Sequence, residues 1–280
     1  MHTVQKDEVR PSVVAGFFYP ETREMLEREL DEMLEAAPAQ EVHGAIKALI
    51  SPHAGYQYSG QVAAFGYRQL RNQHIPVIAV IAPSHYDDFP GVSVFDGRGY
   101  ETPLGLVPVA TDLAEALIEQ DEVIKSSRLG HEKEHALEVQ LPFIQKVLPH
   151  AEIIPIVIRR QEVANCVLLG QALSTVLEHQ PALIVASSDL SHFHSYEEAT
   201  AIDSRTSEII ERFDVELLKV AVETGECEAC GAGPILAAMV ASKKLGADKA
   251  STLIYRNSGD ASGDYAKVVG YLSAAFYQAS

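Results

Sequence analysis

Alternating apolar and polar stretches along the chain predict an alternation of strands and helices. Residues 45–51 and 75–83 are short, nearly continuous apolar runs, which are typical of strands covered on both faces. Further strands are predicted at 91–95, 151–158, 182–189, 251–257 and 266–277. Apolar residues at helical spacing predict helices at 21–37, 61–70, 131–148, 162–179, 200–212, 214–223 and 233–245. This alternation predicts one α/β domain over residues 1–280, with a central, mainly parallel or mixed sheet flanked by helices.

Two residues set expected limits on these helices. Gly60 is expected to form a turn, after which the helix at 61–70 begins. Pro142 has no backbone N–H and its ring clashes with the preceding helical turn, so the helix at 131–148 is expected to kink or split there.

The charge balance narrows the range of partners. The chain has 280 residues, with 22 Lys and Arg against 39 Asp and Glu, which gives a net charge of −17 at pH 7. Since binding to nucleic acids and to anionic membranes depends mostly on Lys and Arg, we expect neither as a partner. No apolar run approaches the roughly 18 residues of a membrane-spanning helix, and residues 1–14 lack the apolar core of a signal peptide. The sequence therefore predicts a cytoplasmic protein.

Polar side chains follow three of the predicted strands at equivalent positions. His53 follows the strand at 45–51, His85 follows the strand at 75–83, and Asp189 with His192 follows the third strand. In α/β sheets, ligands bind beyond the carboxyl ends of the strands. Neutral imidazole suits Zn, Cu, Fe and Ni, and two histidines with one further ligand leave positions open for substrate or O₂. The pattern predicts a shared metal site, the alternative being separately hydrogen-bonded structural histidines.

The further ligand could be a carboxylate or a thiolate. Cys230 stands before a Gly-rich turn that enters the predicted helix at 233–245. The dipole and the oriented N–H groups of a helix N-terminus lower the pKa of a thiol, which makes it a better ligand or nucleophile. The simpler interpretation of Cys230 is a small buried apolar residue.

Two short motifs offer competing chemistry. Residues 131–135 match the HExxH pattern of zinc proteases, but charges inside the motif and the lack of an obvious third ligand argue against a protease. Cys227 and Cys230 form a CxxC pair, which leaves a redox disulfide as an alternative.

Glu134, His135 and Glu138 form a third candidate group on the predicted helix at 131–148. His135 and Glu138 lie three residues apart and therefore share a helix face. Both could support a metal-bound histidine. The alternative for both is an ordinary solvated helix face.

Six segments of the chain together resemble the Memo family, the protein B component of the AmmeMemoRadiSam system. They stand in the family's order and at similar spacing: AGFFYP (15–20), SPHAGYQYSG (51–60), IAPSHYD (81–87), EHALEVQLPF (134–143), SSDLSHF (187–193) and CGAGPI (230–235). The resemblance covers almost the whole chain, and the six segments together are specific. It implies a fold similar to that of class III extradiol dioxygenases, with a metal site at the edge of the central sheet.

The resemblance also implies roles for individual residues. His53 and His85 match the metal-binding histidines of the family, and Cys230 stands at its cysteine ligand, where the dioxygenases have a glutamate. His192 matches a further active-site histidine that would act as general acid and base. Asp189 matches the neighbouring aspartate, which would orient His192 or a metal-bound water.

Three residues in the matching segments have less specific implied roles. His135, Glu138 and Tyr56 are assigned to the surroundings of the metal ligands or to a substrate pocket. The family shares the segment that contains His135 and Glu138 without an agreed role for it.

The implied function is a metal-dependent, dioxygenase-like oxidoreductase. A thiolate in place of a carboxylate softens the site, so Fe(II) is expected first, copper second and zinc last. The substrate is expected to be a small or modified organic molecule. The alternatives are a non-catalytic protein that binds a peptide or a partner through the same pocket, and a metal-dependent hydrolase. A radical SAM protein and an AMMECR-type protein of the same system are the implied partners.

Overall fold

Strands and helices alternate along the residues that the structure describes. The structure is a computed structural model and describes residues 4–38 and 42–280. The strands are β1 (Val9–Arg10), β2 (Gly44–Ser51), β3 (Val77–Pro83), β4 (Val92–Val94), β5 (Gly99–Thr102), β6 (Gly105–Pro108), β7 (Ile124–Ser126), β8 (Glu152–Ile158), β9 (Ala182–Ser187), β10 (Asp189–His194), β11 (Lys249–Asn257) and β12 (Val268–Ala279). The helices are α1 (Arg23–Ala36), α2 (Tyr56–Arg68), α3 (Thr111–Ile118), α4 (His135–Glu138), α5 (Leu141–Val147), α6 (Val163–Val176), α7 (Tyr196–Arg212), α8 (Val215–Thr224), α9 (Ala232–Lys244) and α10 (Ser258–Ser262).

A large mixed sheet forms the centre of the molecule. Its order is β10-β12-β2-β9-β3-β8-β4-β7, and β11 also pairs with β12. The four central strands β2, β9, β3 and β8 run parallel, and β3 is buried along its whole length, as its apolar sequence predicted. The antiparallel pairs lie towards the two edges of the sheet. The predicted fold class, one α/β domain with a central mixed sheet flanked by helices, is confirmed.

Helices cover this sheet, and a smaller sheet lies beside it. α9 packs on β9, β2 and β3, whereas α2 packs on β2, β11 and β12 and carries α1 against it. The small sheet has the order β1-β5-β6; its strands of two to four residues are too short to give a periodic pattern. Within residues 4–38 and 42–280, no helix has both the length and the apolar character needed to cross a membrane.

The structure corrects the predicted turn at Gly60 and confirms the predicted break at Pro142. Gly60 lies inside α2, which begins at Tyr56, and a Cβ at Gly60 would come within 2.6 Å of the Met33 sulfur. This glycine therefore allows α1 and α2 to pack closely and does not form a turn. Pro142 stands in the first turn of α5, so the predicted helix at 131–148 is split into α4 and α5.

The strand predicted at 182–189 is in fact two strands. β9 ends at Ser187, and Asp189 begins β10, which pairs with β12. β2 and β10 pair with successive parts of β12, opposite β11. Asp189 is therefore placed next to the segment that follows β2, which contains His53. His192 lies within β10 and not in a loop beyond the end of a strand.

Candidate metal centre

The three predicted ligands converge beyond the carboxyl ends of the parallel strands. One ring nitrogen of His53, one of His85 and the sulfur of Cys230 all lie within 4.8 Å of one another. His53 Nε2 is 3.1 Å from Cys230 Sγ, and the two imidazole rings meet edge to face with centroids 5.2 Å apart. The loops after β2 and β3 and the residue before the N-cap of α9 supply these side chains. Their donor atoms are close enough to share one metal ion.

Asp189 and His192 lie beside this cluster. Asp189 Oδ1 accepts a hydrogen bond of 2.7 Å from the backbone N–H of His53, and Oδ2 lies 4.0 Å from His53 Nε2. Burial raises the pKa of the Asp189 carboxyl to about 7. The half-buried His192 is near enough to His53 and His85 for their charges to interact, and burial lowers its pKa. Asp189 thus contacts a candidate ligand directly, and His192 lies within electrostatic range of two of them.

The surroundings of Cys230 reverse the predicted effect of the helix N-terminus on its pKa. In the absence of a metal, burial and the nearby Asp189 carboxylate raise the pKa of this thiol well above its usual value. The expected lowering is wrong because desolvation of the thiolate outweighs the oriented N–H groups. A coordinated metal would remove the proton, since a coordinating thiol is deprotonated outright. Cys227 and Cys230 are both free, so Cys230 is available as a ligand.

Each of the two histidines has a partner for its second ring nitrogen. His53 Nδ1 lies 3.0 Å from Ser187 Oγ, and His85 Nδ1 lies 2.8 Å from Glu134 Oε1. Burial lowers the pKa of His53 well below its usual value, so its ring is neutral at pH 7. Burial opposes ionisation of Glu134, but the hydrogen bond from His85 and the nearby imidazole charges outweigh it and lower its pKa.

From the sequence, Ser187 was not singled out, and Glu134 was grouped with His135 and Glu138 but was not paired with His85. Ser187 belongs to an apolar strand, and Glu134 stands among other charges near a predicted helix. The signal for Ser187 is its place at the carboxyl end of β9, and the signal for Glu134 is its place as the N-cap of α4. Both positions lie at the edge of the sheet where ligands bind in α/β proteins.

His135 packs against the cluster as an aromatic neighbour. Its ring stacks on His85 with centroids 4.7 Å apart and lies 4.6 Å from the ring of Phe18. Burial lowers the pKa of His135 to about 4. Donor atoms of His85, Glu134 and His135 also fall within 4.8 Å of one another. Since both Glu134 oxygens already accept hydrogen bonds from backbone N–H groups, at 2.6 Å from His85 and 2.9 Å from Ala136, we assign this group to the support of His85.

Glu138 and Tyr56 are core residues that do not reach the candidate ligands. Glu138 is completely buried, forms an ion pair with Arg10 and accepts a hydrogen bond of 2.5 Å from the Tyr19 hydroxyl. The Tyr56 hydroxyl donates to the backbone oxygen of Val139 at 2.7 Å. The polar groups of both predicted pocket residues are therefore used in packing the N-terminal segment and α2 against the segment 134–140.

The HExxH match does not form a zinc-protease helix. His131 lies in a turn before α4 and is buried, with Nδ1 2.6 Å from the Tyr100 hydroxyl and Nε2 3.3 Å from the Ser93 carbonyl oxygen. Only His135 lies on α4, so the two histidines do not share a helix face. This arrangement agrees with the sequence argument against a protease.

The fold and the site define an α/β protein with a candidate metal centre of two histidines and one cysteine. Residues 10–275 match the model of the Memo-like protein family. The chain is 39% identical over 269 residues to a MEMO1 family protein of Methanosarcina mazei, covering 94% of this chain and 97% of that one. It is 36% identical over 270 residues to one of Aquifex aeolicus, covering 96% and 99%. The chain belongs to the Memo family, as its six segments predicted.

A solved structure supports the fold alone. The crystal structure of the uncharacterized protein JW3007 from Escherichia coli K12 aligns with a TM-score of 0.50 at 15% identity. The alignment covers 82% of this chain and 99% of that chain. At this identity the likeness concerns the architecture and not the chemistry of the site.

Proposed function

We propose that this Memo-family chain is a non-haem metal-dependent oxidoreductase that acts with O₂ on a small or modified organic substrate. The observation that carries the proposal is the convergence of His53, His85 and Cys230 donor atoms within 4.8 Å. A histidine cluster at the sheet edge where α/β proteins bind ligands favours chemistry over a purely structural role.

The donor set fits a redox-active transition metal. Imidazole nitrogen suits iron, copper and zinc, and a thiolate favours the softer ions over Mg²⁺ and Ca²⁺. His53 is neutral and offers a free nitrogen without loss of a proton. When bound here, iron, or copper as the second choice, would supply the redox chemistry with O₂. The side chain of His85 is 31% exposed, which leaves an approach for a small ligand.

Two residues of the chain would hold and move protons beside the ligands. His192 would act as general acid and base through its imidazole, because its half-buried ring lies within electrostatic range of both candidate ligand histidines. Asp189 would orient His192 or a water molecule, since Oδ1 is fixed by the His53 N–H while Oδ2 faces the ligands from 4.0 Å.

Iron content and turnover test this proposal in protein purified without oxygen. The wild-type chain should hold stoichiometric iron, and His53→Ala and Cys230→Ser should both lose it. His192→Ala should keep iron but lose O₂ consumption with any substrate found by screening. Loss of iron from His192→Ala would instead make His192 a ligand and would remove its proposed role.

A non-catalytic binding protein is the second candidate, and the aromatic surroundings of the site favour it. Tyr86 is 56% exposed, and its ring lies 6.0 Å from that of His135. Phe17, which is 85% exposed, directly precedes Phe18, whose ring contacts that of His135. Exposed aromatic side chains are typical contacts for a peptide or a protein partner, such as a radical SAM or an AMMECR-type protein of the same system.

Calorimetric titration with each purified partner protein separates this candidate from the enzyme. Binding should be lost in Phe17→Ser and in His53→Ala, and should be kept in Val220→Ser, a matched change of an exposed apolar residue on α8. Unchanged binding in His53→Ala would exclude a partner that uses the metal pocket.

A further inference from the structure

We propose that the segment Glu134–Gln140 positions the metal ligands by holding a proton on Nδ1 of both His53 and His85, so that Nε2 of each ring is left as the ligand atom. The inference deepens the proposed function and rests on it for its effect on metal binding. The positions of the protons, however, follow from hydrogen bonds within the protein and can be measured without a metal.

The proton position of His53 is determined through the buried amide of Gln140. Its Nε2 lies 2.9 Å from the carbonyl oxygen of Pro52, which can only accept a hydrogen bond. Its Oε1 accepts from the Tyr67 hydroxyl at 2.9 Å. The orientation of the amide is therefore fixed, and the Nε2 group, 2.9 Å from Ser187 Oγ, must also donate to that oxygen.

The Ser187 hydroxyl then determines which ring nitrogen of His53 carries the proton. Its single proton goes to the backbone oxygen of Ala136, at 2.6 Å, because a carbonyl cannot donate. Ser187 Oγ can then only accept from its other partners, the Gln140 amide and His53 Nδ1, which lies 3.0 Å away. His53 must therefore carry its proton on Nδ1. Its Nε2 keeps the lone pair and is the atom that lies 3.1 Å from Cys230 Sγ.

Glu134 imposes the same choice on His85 from the other end of the segment. Oε2 accepts from the backbone N–H of His85 at 2.6 Å, and Oε1 accepts from that of Ala136 at 2.9 Å. Two backbone donors favour the ionised carboxylate. His85 Nδ1, 2.8 Å from Oε1, must then donate, which leaves Nε2 free.

The two histidines belong to different loops, and one seven-residue segment fixes both rings. The partners differ in charge, since His53 donates to a neutral hydroxyl and His85 to a carboxylate. A carboxylate partner raises the basicity of a metal-binding imidazole. Glu134 is thus a positioning residue that makes His85 the stronger of the two nitrogen ligands, and Ala136 and Gln140 position His53 through Ser187.

Long-range ¹⁵N–¹H spectra of the histidine rings test the proton positions in protein stripped of metal. His53 and His85, assigned by their loss in His53→Gln and His85→Gln, should both show the spectrum of a neutral ring protonated on Nδ1. A ring protonated on Nε2 at either position in the wild-type chain would overturn the inference. The proton positions themselves are read in the wild-type chain, and the two variants serve only to assign the signals.

Two variants test the contacts of His85 and of His53 separately. Glu134→Gln should change the ring signals of His85 and leave those of His53, because an amide can donate to Nδ1. Ser187→Ala should do the reverse. Glu132→Gln, a matched change at an exposed neighbour, should alter neither. Coupled changes, or none, in the first two variants would contradict the assigned partners, whereas a merely structural role would not move one ring alone.

Titration with Co²⁺, followed by the thiolate-to-cobalt absorption, measures the consequence for metal binding. Glu134→Gln should weaken Co²⁺ binding about 10- to 100-fold, and Glu132→Gln should not change it. Equal affinity of both variants would overturn the positioning role. Failure of the proposed function has a different signature, because the wild-type chain would then show the stated ring protonation but retain no iron.

Discussion

Glu134 and Glu138 lie one turn apart at the same short helix, yet they serve different parts of the molecule. Glu134 binds the ring and the backbone of His85 and faces the candidate metal ligands. Glu138 is bound by Arg10, by the backbone N–H groups of Val13 and Val14 and by the Tyr19 hydroxyl. Of these two buried carboxylates, Glu134 therefore supports the candidate metal site, and Glu138 stabilises the fold.

The role of a buried charged residue in this segment follows from its hydrogen-bond partners and cannot be read from its spacing in the sequence. Sequence spacing grouped Glu138 with His135 as possible support of a metal-bound histidine. In the structure, Glu134 supports His85, whereas Glu138 attaches the N-terminal segment to α4. Variants of the two residues should therefore fail in different ways.

The largest expected effect is on stability in Glu138→Gln. Removing one partner of a completely buried ion pair leaves the Arg10 charge without compensation, which costs about 3–5 kcal/mol of unfolding free energy. Urea denaturation measures this loss. Co²⁺ affinity of the folded fraction should fall less than in Glu134→Gln, because Glu138 is hydrogen-bonded to Arg10 and the N-terminal segment and to none of the three candidate ligands. A large loss of affinity with little loss of stability would remove the division between the two glutamates.

The next largest expected effect is the stabilisation of the folded chain by a bound metal ion. Fe(II) at about 100 times its dissociation constant should raise the unfolding free energy by about 2.7 kcal/mol, because only the folded chain has the site. Glu138→Gln should show the same gain when kept without oxygen, and Cys230→Ser should show none. An equal gain in Cys230→Ser would place the metal elsewhere.

The pH dependence of stability tests the scaffold through His131. Burial lowers the pKa of His131 to about 3, so the unfolded chain binds a proton more readily below the ordinary value of about 6.5. The stability that this neutral histidine contributes is complete above about pH 6.5. It is lost as the pH falls towards 3, by up to about 1.4 kcal/mol for each pH unit.

His131→Gln should reduce this slope between pH 6 and about 4, where acid unfolding of other groups is still limited. Urea midpoints measured across that range give the comparison with wild type. Other groups also contribute. His53, His135 and His192, whose pKa values are lowered by burial, add to the slope, and Asp189, whose pKa is raised by burial, opposes it. An unchanged slope in His131→Gln would mean that His131 is not a buried neutral residue.

The smallest effect is expected for Tyr56→Phe. Loss of the hydrogen bond from this hydroxyl to the Val139 carbonyl should cost about 1 kcal/mol. Metal affinity should not change, because the hydroxyl points to the backbone behind α4. A clear change in Co²⁺ binding would show that Tyr56 belongs to the metal pocket, as the sequence predicted.

The sequence predicted the candidate ligands His53 and His85 because of a general property of parallel sheets. Both residues follow buried apolar runs, and the carboxyl ends of such strands meet at one edge. Cys230 was proposed from its place before a helix N-terminus, and the family resemblance pointed to the same residue. These parts of the site depend on local patterns and on their order along the chain.

Other parts of the site depend on contacts that local patterns do not contain. β10 carries polar residues at most of its positions and pairs with β12 about eighty residues later in the chain, so it resembled a loop. Gly60 resembled a turn because its contact with Met33 on α1 is tertiary. The pKa of Cys230 was expected to fall because burial cannot be judged from a helix N-terminus alone. Glu134 was not paired with His85 because the two residues are 49 positions apart in the chain.

Iron content and iron affinity of protein purified without oxygen show whether His53, His85 and Cys230 form a metal site. We expect stoichiometric iron in the wild-type chain, loss of that iron in His53→Ala and in Cys230→Ser, and retention in the matched surface variant Glu132→Gln. A wild-type chain that binds neither iron nor copper under these conditions would rule out this metal site, and so would iron that remains bound in both ligand variants.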